Sequence, residues 1–310
     1  AGGCTVDGCE TAGASTEIWV PVKERFFSGP RLSSPRVGHA ATLLRDGTVL
    51  VAGGWDDQRL TASAELFDPE RRAFRPTGSM VETRGGFSAT ALRDGRVLFV
   101  GGSRDRRSLA AAELFDPATG RFTRTGSLQT ARAAHTAALL PNGRVLVAGG
   151  QGTNGRVLAS AEIYDLRTGR FTRTRALRVA RHKHAAVSVP GGVLVVGGSN
   201  AQDFRGRYAS AERYDAKRGR WTTVKPMAQA RFKIPDAVAP LNGGAVLVAG
   251  GGTTVERYDP RSRRFTTAGR IGSTLAFSTA TRLLSGAVLI VGGYDDRIAV
   301  TSRAWLYRAG

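Results

Sequence analysis

The 310-residue chain carries 45 Lys and Arg against 25 Asp and Glu, a formal net charge of +20, and 40 of the 45 bases are arginine. Such a surface attracts polyanions whatever its specific partner is. No run approaches the roughly 18 apolar residues that a membrane span requires. With no methionine at position 1, the chain reads as a processed soluble protein whose targeting peptide has been removed.

Residues 1–14 are rich in Gly, Thr and Ala and hold both cysteines, Cys4 and Cys9. They read as a flexible tail in which Cys4 and Cys9 close a small disulfide loop, suited to an oxidising compartment: secreted, periplasmic or cell-surface. The alternatives are two unrelated thiols, or a lipid anchor on Cys4, because Gly2-Gly3-Cys4 faintly resembles the end of a bacterial lipoprotein signal.

From residue 15 the chain repeats itself. Glu17-Ile18-Trp19 matches Glu65-Leu66-Phe67, so the array begins in mid-repeat. An apolar run ending in Gly-Gly recurs six times, its first glycine at Gly53, Gly101, Gly149, Gly197, Gly250 and Gly292. Self-similarity at such a period marks a ring or stack of like units. The first unit predicts four short strands: His39 to Leu44, Val49 to Ala52, Ser63 to Phe67 and Ala73 to Arg75. Pairs such as Asp46-Gly47, Asp94-Gly95 and Asn142-Gly143 join the first strand to the second and supply the positive φ of tight hairpins. No useful 3.6-residue period is present, so helix content should be near zero.

These features predict an all-β chain, a six-bladed β-propeller of four-stranded antiparallel blades over residues 15–310. Lys23 to Phe27 is expected to close the ring as an outer strand on Thr301 to Tyr307, with a two-plus-two closure as the alternative. The pattern of apolar run, Gly-Gly, Tyr or Phe before Asp, and a Trp or Phe about seven residues later resembles the Kelch-repeat family. Most repeats carry phenylalanine where that family has tryptophan, and Trp221 is the exception; the loop after Gly251 is unusually short.

The recurrent Glu65, Glu113, Glu162, Glu212 and Glu256 stand one per unit, so they read as buried groups satisfying backbone amides or an arginine rather than as a catalytic pair. The glycine pairs are read as letting an aromatic ring or another backbone approach. His39, His135 and His184 share a slot with Phe87, Ile234 and Phe277, which makes it a packing slot, and the pair His182 and His184 is a weaker metal candidate. Copper oxidases built on Kelch-like propellers use a cysteine bonded to a tyrosine; here no blade holds a cysteine, and no cofactor is expected.

Arg36, Arg84, Arg132, Arg181 and Arg231 each stand three residues before that slot, with Thr274 breaking the series in the sixth repeat. They are expected to ring the channel mouth beside Trp55, Arg104, Arg106, Phe204, Tyr208 and Tyr294, a set suited to a peptide, a sugar or an acidic ligand. The competing reading is that each arginine caps its own blade. Bases such as Arg71, Arg121 and Arg218 on the opposite side, and the absence of any nucleic-acid motif, argue against a dedicated nucleic-acid surface. The resemblance thus implies a non-catalytic binding or scaffold module for a protein or acidic glycan partner. The alternative is a carbohydrate-active enzyme like the bacterial six-bladed Kelch-like mutarotases, using acids and arginines at the same face.

Overall fold

The computed structural model describes residues 1–7, 11–200 and 206–308. The chain is all-β and is built of propeller-type blades, as expected; among the described residues helical structure is confined to short 3-10 turns such as Thr153–Gly155 and Asn242–Gly244. Among the described residues no helix is long and apolar enough to cross a membrane. The chain divides into two compact units, Ala1–Ala133 and Ala134–Gly310.

The first unit holds two four-stranded antiparallel blades, Ala40–Leu43, Val49–Ala52, Ala64–Asp68 and Ala73–Pro76, then Ser88–Ala91, Val97–Val100, Ala112–Asp116 and Arg121–Arg124. It also holds the N-terminal half-repeat, which supplies two strands where one was expected: Arg25–Ser28 is laddered to Glu17–Val20, with Trp19 stacked edge-on against Phe26. Residues 1–7 and 11–14, expected to be a flexible tail, are instead tied to the first blade. Gly3 N donates to Arg36 O, Arg36 N donates to Gly13 O, and Cys4 bridges Ala12. Cys9, the second half of the expected disulfide, lies outside the described residues.

The second unit holds blades three to five and a three-stranded sixth sheet, Thr279–Arg282, Val288–Val291 and Ala304–Tyr307. Its inner strands Thr136–Leu139, Ala185–Val189, Val238–Pro240 and Thr279–Arg282 neighbour one another in chain order.

Each motif position now has a physical cause. The aspartate ending the third strand accepts backbone N–H groups of the next turn, as Asp68 does from Glu70 and Arg71, and Asp215 from Lys217 and Arg218; that fixes the outer hairpin. Those bonds to the Arg218 and Lys217 backbone hold the Asp215 carboxyl below its usual range. The two aromatics lie opposite each other across the outer ladder, Phe67 on Phe74, Tyr164 on Phe171 and Tyr214 on Trp221, with centroids 5.1, 4.8 and 5.0 Å apart. Such pairs add about 0.5–1.5 kcal/mol beyond area burial. Trp221 also donates its indole N–H to Arg175 O. Second strands such as Val97–Val100 and Gly192–Val196 are buried on both faces, which is why they read as unbroken apolar runs.

Candidate functional site

The five repeated arginines do not form a solvent-facing ring. Arg36, Arg84, Arg132, Arg181 and Arg231 are each 0% exposed, among the most deeply buried side chains in the chain. Arg36 Nη2 donates to Glu65 Oε1 at 2.8 Å and Nη1 to Gly53 O and Ser63 O. Arg84, Arg181 and Arg231 repeat the arrangement on Glu113, Glu212 and Glu256 and on the carbonyls of Gly101, Gly197 and Gly250. Arg132 is buried to the same degree, its Nε donating to Thr130 O.

The glutamates also accept backbone amides from the segment leading into their own blade, Ser33 N on Glu65 and Val81 N on Glu113. A buried guanidinium requires this complete a set of acceptors. Burial lowers the Arg181 and Arg231 guanidinium groups from their ordinary value, and Glu212 and Glu256 oppose the shift. The expectation of an arginine recognition surface is therefore replaced by an Arg–Glu clamp inside the first, second, fourth and fifth blades.

The sixth repeat shows why the alignment slipped there. Gly251 N donates to Leu275 O, as Gly198 N does to Arg231 O and Gly150 N to Arg181 O, so Leu275 rather than Thr274 stands at the arginine position. The ladder places Trp305 opposite Ile290 as Glu65 stands opposite Val51. Arginine and glutamate are thus lost together and replaced by two apolar residues of one core cluster.

The histidine slot is a packing slot, as expected, with Ser278 rather than Phe277 in the sixth repeat. A Cβ placed on Gly149 would meet the His184 ring at 2.7 Å, one on Gly53 the Phe87 ring at 3.0 Å, and one on Gly197 Ile234 Cδ1 at 2.9 Å. At Gly53, Gly149, Gly197 and Gly250 the first glycine of the pair makes room for the slot residue of the next blade. His184 Nε2 lies 2.7 Å from Thr136 Oγ1 and His182 packs on Phe232. Burial first, then the charges of Arg181, His135 and His182, hold His184 well below its ordinary pKa. Among the described residues no three of His, Cys, Asp and Glu are gathered as a metal site.

What the loops present differs between blades. In the first unit Trp55 is half-buried in a bridge between Val37 and Leu60, and Arg104 and Arg106 are exposed on the hairpin Ser103–Arg104 and Arg107–Ser108. In the second unit Tyr208 lies under the Arg181 guanidinium at 5.4 Å, and Tyr294 OH accepts from Lys233 Nζ at 2.9 Å. Phe204 lies outside the described residues.

The residue before the slot is left-handed in every repeat: Gly38, Gly86, Ala134, Lys183, Lys233 and Phe277, with φ between 49° and 64°. Glycine there costs nothing, whereas a side chain costs about 1–2 kcal/mol, so the second unit places side chains in a strained position. Lys233 Nζ stands within 5.9 Å of the Phe232, Phe277 and Tyr294 rings, and Lys183 Nζ is 5.5 Å from Phe232. Only five lysines occur in the chain, and two of them stand here. Sequence reasoning missed this pair because Lys183 and Lys233 interrupt a glycine series without forming a motif of their own.

Residues 38–251 match the family model of the KLHDC2/KLHL20/DRC7 Kelch-repeats domain. A search of curated proteins gives no match. Among solved structures the chain is similar to that of YjhT, at 12% identity and TM-score 0.72 over 88% of this chain and 95% of that one. It is also similar to a fungal alcohol oxidase of the AA5 family in complex with copper, at 16% identity and TM-score 0.80 over 99% of this chain and 70% of that one. At these identities the two structures establish a shared fold. With matched Kelch repeats over most of its length, blades of the observed pattern and an Arg–Glu clamp in repeat after repeat, the chain belongs to the Kelch-repeat family.

Proposed function

We propose that the chain is a non-catalytic binding module, working in an exported setting, that engages an acidic protein or glycan partner through the loop-bearing end of its blades. Kelch propellers commonly serve as protein-interaction modules, and the second unit offers the chemistry for an acidic group. The observation that carries the reading is the pair Lys183 and Lys233, held in left-handed backbone over Phe232 beside the half-exposed Phe277 and Tyr294. Strained side chains of this kind cluster at ligand clamps, and aromatics beside cations are the usual anchors of an interface.

The test is capture of partners from the native source on immobilised protein, followed by the double variant Lys183→Ala and Lys233→Ala. Loss of the captured partner by a variant that still unfolds in one cooperative transition is expected, with a modest fall in melting temperature from the lost bond between Lys233 and Tyr294. Retention of the same partner at the same strength would remove the lysine pair from the site.

The second reading, a carbohydrate-active enzyme, is favoured by Asp236. Its carboxyl is open to solvent, as a group that exchanges a proton with a sugar must be. Anomer exchange of free sugars followed by NMR, abolished by Asp236→Asn, would favour this reading over the first.

A further inference from the structure

The loop between second and third strands is present in five repeats and nearly absent in one. Residues 55–63, 103–111, 151–160 and 294–303 fill that position in repeats one, two, three and six, and Ser199 with residues 206–210 stand there in the fourth. In repeats one, three, four and six the loop folds back on itself through bridges such as Trp55 to Leu60, Ser199 to Arg207 and Tyr294 to Val300. The fifth repeat passes from Gly251 to the strand Thr254–Asp259 through Gly252 and Thr253 alone. Its neighbours' loops consequently meet over a gap: Arg207 of the fourth repeat and Asp296 of the sixth approach to 3.9 Å.

Beneath them lies an open cavity of about 290 Å³ bordered by Gln229, Gly252, Thr253 and Thr274. That volume is just below the range for drug-sized ligands, about 300–1,000 Å³, and leaves room for one small ligand unit. Its floor is rigid. Gln229 Nε2 donates to Thr253 Oγ1, and its Oε1 accepts from Thr254 N and Oγ1. At 3.9 Å the Arg207–Asp296 pair is longer than a hydrogen bond, and both side chains are partly in water, so the pair contributes little to stability. Thr274 Oγ1 reaches Asp296 Oδ2 at 3.4 Å.

We infer that this notch is a binding site for one neutral saccharide unit. A guanidinium, a carboxylate and two threonine hydroxyls around one opening present donors and acceptors side by side. A vicinal diol, which both donates and accepts, matches that set and inserts between Arg207 and Asp296. Opposite charges side by side leave the opening without net charge, so neither an anion nor a cation is favoured over a neutral ligand. The site goes beyond the lysine pair and stands or falls separately from it.

The test is titration of the protein with the methyl glycosides of glucose, galactose and mannose, followed by saturation-transfer NMR and calorimetry. At least one glycoside should bind, and Arg207→Ala and Asp296→Ala should each weaken it about tenfold or more. Thr253→Trp, which fills the opening from an exposed position, should abolish binding at an unchanged melting temperature. The double variant Lys183→Ala and Lys233→Ala should leave glycoside affinity unaltered. Absence of binding by all three glycosides, or binding indifferent to Arg207→Ala, Asp296→Ala and Thr253→Trp, would overturn the assignment.

Discussion

Arg36 donates through Nη2 to Glu65 Oε1 at 2.8 Å, with both side chains closed off from water. The same relation recurs between Arg84 and Glu113, Arg181 and Glu212, and Arg231 and Glu256. Removing one partner strands a buried charge, which typically costs about 3–5 kcal/mol, whereas replacing both by apolar groups is often neutral. Arg84→Ala should therefore lower the unfolding free energy by about 3–5 kcal/mol in chemical denaturation. Arg84→Met combined with Glu113→Leu should recover most of it, because Leu275 and Trp305 already make that exchange in the sixth repeat. Equal destabilisation by the single and double variants would refute the clamp.

Histidines buried as neutral groups make stability depend on pH. His39 is pushed down to about 4, chiefly by burial, and His184 lies well below its ordinary value. The unfolded chain takes up protons on these groups from about pH 6.5 downward while the folded chain does not. Stability should be level above that point and fall steadily as the pH drops towards 4, by up to about 3 kcal/mol from His39 alone. His184→Phe, which copies Phe87 in the same slot, should fold normally and flatten part of the slope. A variant with an unaltered profile would exclude His184 as a contributor.

Gly149 has φ +65°, and a Cβ there would meet Arg181 O at 2.5 Å as well as the His184 ring. Gly286 has φ +88° and nothing within 4 Å. Gly149→Ala should cost about 2–4 kcal/mol and Gly286→Ala only about 1 kcal/mol, since the second meets backbone strain without overpacking. Thermal melts of the two variants side by side decide the point, and equal shifts would contradict it.

Lys183 has φ +49°, so Lys183→Gly should stabilise the fold by about 1 kcal/mol while weakening the partner. Opposite signs in the two measurements would mark a residue kept for binding at the expense of stability. A glycine variant that is both less stable and equally active would assign Lys183 to the fold.

Cys4 lies in backbone contact with Ala12, in a segment tied to Arg36. The expectation for the mature protein is a disulfide to Cys9. Mass analysis after alkylation without reduction should show neither thiol modified, and two alkylated cysteines would withdraw the proposed exported setting.

The blades were legible in the sequence because their causes are local. Asp46-Gly47 makes a turn wherever it stands, and the Phe67 and Phe74 pair follows from hairpin geometry; the strands of the first blade lie within about one residue of their expected limits. The arginine role was less legible, although the signal was present: Arg and Glu recur in step, 29 residues apart in each of the first two repeats, and vanish together in the sixth. Position within a repeat says which residues are equivalent and not which way they point. The left-handed lysines and the notch were hidden for another reason: each arises where a repeat departs from its fellows, and a departure has no period.

The contact of Gly53, Gly149, Gly197 and Gly250 with the next slot gives these blades a fixed order of succession. Gly149 seats an imidazole, Gly197 an isoleucine and Gly250 a serine, so each seat is cut for one follower. A blade grafted elsewhere would carry its own Arg–Glu clamp intact and still fit its new neighbour badly. Lengthening such an array by copying one repeat is therefore limited by the join and not by the module, and the slot residue is the first place a duplicated blade would have to change.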